Sequence, residues 1–156
     1  MSSSLTGKLE GSVEVEASAE TFHDLIGNRP HHIPNACAQK VHAYELHEGE
    51  FGKPGSIVVI RYSFDGKPKM AKHLMEVVDP KTSTIRYNML EGDLLDEYKS
   101  FVLTYSATPK ANGKGSIVKW VLEYEKLHES IPDPQPLLDL LLEICQDMGT
   151  HLTAQP

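Results

Sequence analysis

Between Lys40 and Lys126 the chain is cut into short runs by turn-forming clusters, and beyond Ser130 its period changes. The cuts are Glu48–Gly55, Asp65-Gly66, Asp79-Pro80-Lys81 and Pro109–Gly115, each rich in Gly, Pro, Asp or Asn. Spacings of roughly ten to fifteen residues suit an antiparallel meander and leave no room for crossover helices, which excludes a parallel α/β sheet. Asp65-Gly66 is the sharpest hairpin signal, because a two-residue turn with positive φ favours that pair. The segment Ser130-Ile131-Pro132-Asp133-Pro134-Gln135-Pro136 is a proline-stiffened lead whose last proline suits a first helical turn. Leu137, Leu141, Ile144, Cys145, Met148 and Leu152 then recur at helical spacing, with Asp139, Glu143, Gln146, Asp147 and Thr150 on the opposite stripe. This predicts a long C-terminal helix of about 25 Å. Leu138, Leu140 and Leu142 widen its apolar arc, so it should be embraced on more than one side.

The start of the chain has a period of two. Leu5, Leu9, Val13 and Val15 alternate with Lys8, Glu10, Ser12, Glu14 and Glu16, the pattern of a half-buried strand whose inner face is lightened by Gly7 and Gly11. Ser18 can cap a short helix through Ile26, which Gly27-Asn28-Arg29-Pro30 stops, and a second short helix fits His31 to Ala36. One strand, two short helices, six strands and one long helix give a single α+β domain over residues 1–156. A curved antiparallel sheet gripping an amphipathic helix encloses volume. Whether side chains fill that volume decides what the chain can do.

Composition removes several functions. With 15 Lys+Arg against 22 Asp+Glu the formal charge is −7, which disfavours nucleic acid, since that binding needs cations to displace counterions. Two cysteines, Cys37 and Cys145, form no CxxC motif and suit a reducing compartment. No apolar run approaches the ~20 residues of a membrane span, and the first residues lack the greasy stretch of a secretory signal. A cytoplasmic protein is expected, as a monomer or weak homodimer. Eight histidines are many for this length, but no HExxH or thiol spacing points to a metal, and none is expected.

The segments LTGKLEGSVEVEASAETFH, RPHHIPNA, HEGEFGKPGSIVVIRY, LEGDLLDEYKSF and GSIVKWVLEYEKL together resemble the plant major latex protein group. That group lies within the birch-pollen-allergen-like superfamily, also called pathogenesis-related class ten, and the resemblance runs from Leu5 to Leu152. It implies a helix-grip (START-like) fold: seven antiparallel strands, a V of two short helices, and a long helix over an apolar cavity. It further implies binding of a small hydrophobic plant metabolite such as a terpenoid, steroid, fatty acid, hormone or alkaloid, in defence or specialised metabolism, without a cofactor. A few relatives are cyclases, isomerases or condensing enzymes.

Under that fold the strand alternations become candidate walls. Ile85, Tyr87 and Met89 share one face, as do Phe101, Leu103 and Tyr105, and Val118, Trp120, Leu122 and Tyr124. Ordinary core is the competing reading of all three sets. The candidate ligand-binding residues are Met70, Leu74, Ile85, Tyr87, Met89, Leu103, Tyr105, Val118 and Trp120 on the sheet, with Leu137, Leu141, Cys145 and Met148 on the helix. Tyrosine hydroxyls among apolar walls orient a guest, and Met70, Met89 and Met148 adapt to its shape.

Candidate proton-transfer groups are Lys72, His32 and Tyr87. If Met70, Leu74 and Val78 face inward, Lys72 and Glu76 do too, and a lysine in an apolar pocket can move protons. The alternatives are that Lys72 reaches solvent or that the register is shifted. His31-His32 adjoin the helix elbow and His23 lies one short helix earlier, whereas His42, His47, His73, His128 and His151 show no constellation. The glycine loop Gly49–Ser56 lacks the GK[ST] ending of a phosphate cradle, so a tight inter-strand turn is expected, with cavity gating as a further role implied by the resemblance.

Norcoclaurine synthase, one of the condensing relatives, uses Tyr, Glu, Lys and Asp on these strands. The corresponding positions here read Met70, Lys72, Ile85 and Leu103 or Thr104, so that acid/base set is missing. Two functions stand: a non-catalytic carrier of an apolar metabolite, or a cyclase or isomerase that shapes a reactive enol-type intermediate by orientation and one proton-transfer group.

Overall fold

The computed structural model describes residues 5–154. β1 (Thr6–Val15) pairs antiparallel with β7 (Ser116–Lys126), from Thr6 opposite Glu125 to Val15 opposite Ser116. Between them in sequence come β2 (Val41–Glu48), β3 (Ile57–Phe64), β4 (Lys67–Asp79), β5 (Thr84–Gly92) and β6 (Tyr98–Pro109). The seven strands form one antiparallel sheet in the order β1-β7-β6-β5-β4-β3-β2. The chain therefore crosses from one edge of the sheet to the other after β1, then returns strand by strand. Asp65 and Gly66 both have positive φ (54° and 72°), the two-residue β3–β4 turn that the dipeptide signals.

The crossing is made by the short helices. Ser18 caps α1 (Ala19–His23), its Oγ accepting the Thr21 backbone N–H at 3.1 Å. The chain tightens into a π-turn over Asp24–Asn28 and a 3-10 turn over Pro30–Asn35, forming the expected corner. A further 3-10 turn, Asp93–Asp96, has no counterpart in the sequence reading. It starts at Gly92, whose φ of 142° and close approach to the Met70 carbonyl (2.5 Å from a Cβ placed there) exclude a side chain.

The helix α2 (Gln135–Ala154) is 20 residues long, hence about 30 Å rather than the expected 25 Å. Its proline-rich lead is fastened by three contacts. The Tyr124 hydroxyl donates to Asp133 Oδ1 at 2.9 Å, Lys126 pairs with the same oxygen at 2.9 Å, and the Tyr98 hydroxyl donates to the Pro132 carbonyl at 2.7 Å. Its far half is held by Lys40–Asp147 at 2.6 Å and by Gly149, which lies flat on Val15. Leu138 and Leu142 pack where Gly11 leaves room on β1, and Gly7 leaves room for the Tyr124 ring. No helix among the described residues is long and apolar enough to cross a membrane.

One strand departs from expectation. On β4 the buried positions are Ala71, His73 and Met75, so Met70, Lys72 and Leu74 turn to the outer face. The sequence Met70–Val78 has apolar residues in both phases, and the neighbours choose between them. Lys72 stands opposite Glu91 and pairs with it at 3.0 Å, while the Met70 N–H donates to Asp93 Oδ2 at 2.7 Å. Bulges at Lys72/His73 and Met75/Val77 bend the strand.

Candidate functional site

The concave face of the sheet is solid at both ends and hollow between. At one end Phe22 stacks on Tyr105 (5.9 Å between rings), and Ile85, Val118 and Met75 are fully buried around them. At the other, Tyr98, Phe101 and Tyr124 pack edge and face at 5.2–5.9 Å beneath the lead to α2. Between the two, α2 stands off the sheet. The volume open to a water centre there is about 90 Å³, several times the ~10–15 Å³ that admits one water.

The helix contributes Leu137, Leu140, Leu141, Ile144, Cys145 and Met148, one continuous face. The sheet answers with Tyr44 from β2, Ile60 and Tyr62 from β3, Ala71 and His73 from β4, Tyr87 from β5, Leu103 from β6 and Trp120 from β7. Ile26, Ile33, Val41 and Leu94 complete the lining, which remains partly open to the outside. Of the candidates named from the sequence, Tyr87, Leu103, Trp120, Leu137, Leu141, Cys145 and Met148 line this hollow. Ile85, Met89, Tyr105 and Val118 face inward but belong to close-packed core outside its lining. Met70 and Leu74 lie on the outer face, because the β4 register is shifted by one.

The proton-transfer candidates separate in the same way. Lys72 is outside, paired with Glu91. His32 sits at the elbow, its Nδ1 3.5 Å from Arg29 Nη1 and its ring edge-on to His31 at 4.3 Å, away from the lining. Only Tyr87 is in the wall. The glycine loop is the tight turn expected: Ser56 Oγ accepts the Glu50 N–H at 3.1 Å and donates to the Lys53 carbonyl at 2.8 Å, and Phe51 stacks on His31 at 4.9 Å. Among the described residues no three metal-ligating side chains converge.

Polar atoms in the wall are few. The Trp120 indole N–H donates to Cys145 Sγ at 3.1 Å, and Trp120 stacks on Tyr87 at 5.9 Å. His73, unremarkable in the sequence, is the main surprise. Its residue is 6% exposed, its ring lies 5.5 Å from that of Tyr87, and neither of its nitrogens has a hydrogen-bond partner. The Tyr87 hydroxyl lacks a partner of normal geometry as well, although the Tyr44 phenol lies close enough to couple to it. Only the inward phase of β4 would have revealed His73, and the sequence leaves that phase ambiguous.

Burial sets the charge of the wall. It pushes the His73 pKa down to about 4, so the ring is neutral near pH 7. It raises the phenols of Tyr44 and Tyr87, and it pushes Tyr62 up to about 12 and the Cys145 thiol up to about 12. No lysine or arginine lines the hollow. The site can enclose and orient an uncharged apolar body. It offers no nucleophile in its reactive ionised form.

The pathogenesis-related protein Bet v 1 family matches residues 4–155. The chain is 48% identical over 153 residues to MLP-like protein 43 of Arabidopsis thaliana, covering 98% of this chain and 97% of that protein. A crystal structure of ginseng major latex-like protein 151 from Panax ginseng superposes with a TM-score of 0.90 at 38% identity, covering 97% of this chain and 99% of the other. Norcoclaurine synthase from Thalictrum flavum, solved with dopamine and hydroxybenzaldehyde, shares the fold with a TM-score of 0.71 over 98% of this chain and 90% of its own. At 19% identity that likeness is one of fold alone. The chain belongs to the pathogenesis-related Bet v 1 family and, within it, to the major latex protein group.

Proposed function

We propose that this protein carries or sequesters a small hydrophobic plant metabolite between its sheet and α2. The observation that carries this reading is the hollow itself, apolar on nearly every side and without a charged side chain in its lining. Close packing is the rule inside proteins, and an unfilled apolar volume is a standing loss of stability that a guest recovers. The two buried, unpaired cysteines suit a reducing compartment such as the cytoplasm.

The single tryptophan, Trp120, provides a built-in reporter because it lies in the wall. Titrating the neutral dye N-phenyl-1-naphthylamine should give saturable energy transfer from Trp120, reversed by competing lipids, steroids or terpenoids. Transfer that rises linearly without saturation, or that no competitor reverses, counts against a carrier. A second reading, a cyclase or isomerase for a reactive enol-type intermediate, is favoured by the unpartnered His73 nitrogens and the Tyr87 phenol beside apolar surface. Incubating such an intermediate with the protein and comparing product stereochemistry separates the two, since a carrier leaves the distribution unchanged.

A further inference from the structure

Buried polar groups nearly always have partners, so a cluster that lacks them is the place to ask what else binds there. His73 and Tyr87 are such a cluster: diagonal neighbours on β4 and β5, 6% and 3% exposed, both lining the hollow, with neither His73 nitrogen partnered and the Tyr87 hydroxyl met only by the nearby Tyr44 phenol, without normal hydrogen-bond geometry. The other orphaned groups, His23 Nδ1 and the Tyr105 hydroxyl, belong to residues outside the lining. The Trp120 N–H is already committed to Cys145.

Building on the carrier reading, we propose that His73 and Tyr87 form a polar socket selecting an uncharged apolar molecule that bears one hydroxyl, over its hydrocarbon and its carboxylate counterparts. A neutral imidazole has one donor and one acceptor, and a phenol can be either. A hydroxyl both donates and accepts, so it can satisfy the pair whichever tautomer His73 adopts. A hydrocarbon leaves both His73 nitrogens bare. A carboxylate can only accept, and it would bring a full charge into a wall with no lysine or arginine. The His73 ring is tilted against Tyr87, and Tyr87 stacks on Trp120, so ring faces beside the pair suit an aromatic or alicyclic body behind the hydroxyl.

The test uses naphthalene, 2-naphthol and 2-naphthoate at pH 7, with dissociation constants from Trp120 fluorescence and calorimetry. The wild-type protein should bind 2-naphthol at least about ten-fold more tightly than either analogue, the effect of one or two recovered hydrogen bonds. H73F and Y87F should each bring the alcohol-to-hydrocarbon ratio close to one, the ratio being read within each variant. If H73F does not fold, Y87F alone decides. Equal affinity for naphthol and naphthalene, tightest binding of the naphthoate, or a preference that survives both variants overturns the socket. If these three and the dye all fail to bind, it is the carrier reading that falls. If the dye binds and the alcohol has no advantage, only the socket falls.

Discussion

At the scale of single residues, β4 decides most. Because burial holds His73 neutral, the native state resists a proton that the unfolded chain accepts near the ordinary histidine value of about 6.5. Stability from this group is therefore complete above about pH 6.5 and is lost as pH falls toward about 4, by about 3 kcal/mol. Urea unfolding of wild type and H73L at pH 7 and pH 4.5 should show the gap between them shifting by about 2–3 kcal/mol in favour of the variant at the lower pH. A gap that does not change with pH would mean that His73 is accessible to protons. Lys72→Ala should leave dye affinity within about two-fold and stability within about 1 kcal/mol, because the residue sits outside in a surface pair. Part of the wall was readable in advance, whereas its contributions from β2 and β3, Tyr44, Ile60 and Tyr62, were not. The alternations of β5, β6 and β7 put Tyr87, Leu103 and Trp120 inward, as their period of two requires. β4 was not, since Met70 and Leu74 in one phase compete with Ala71 and Met75 in the other, and only cross-strand partners such as Glu91 settle it.

At the scale of elements, caps and close approaches hold the grip in place. Ser18→Ala removes the oxygen that accepts the Thr21 N–H and should cost about 1 kcal/mol in thermal or urea unfolding. Gly149 is the sharper test. Glycine to alanine inside a helix normally gains up to about 1 kcal/mol, yet a Cβ here would lie 2.8 Å from the Val15 side chain. Gly149→Ala should therefore lower stability by about 1–3 kcal/mol, as overpacking does. A stabilised variant would show that α2 rides higher on β1. The start of the helix was legible in its proline lead and its buried face in the stripe at helical spacing, while its full length was not. Its anchors, Asp133 under Tyr124 and Asp147 on Lys40, were not, because such pairs join positions brought together only by the closed sheet.

For the whole molecule, the hollow is an expense of folding kept in the middle of an otherwise dense core. By the usual cost of empty volume it forgoes about 2 kcal/mol. Leu103→Phe and Leu141→Phe should hold or raise the melting temperature while weakening dye binding at least about ten-fold. Loss of both stability and binding would instead indicate simple overpacking. Cavity size was never legible in the sequence. It is the small difference between the space enclosed by seven strands and the side chains sent into it, and a one-residue shift on β4 changes both.

The most direct measurement is an NMR titration of isotopically labelled protein with a neutral apolar guest. Saturable shifts are expected at the Trp120 indole N–H, the His73 ring and the methyls of Leu103 and Leu141, with Met70 and Leu74 on the outer face unmoved. Shifts concentrated on the outer face, or none at the inner wall up to the solubility of the guest, would contradict an internal binding site.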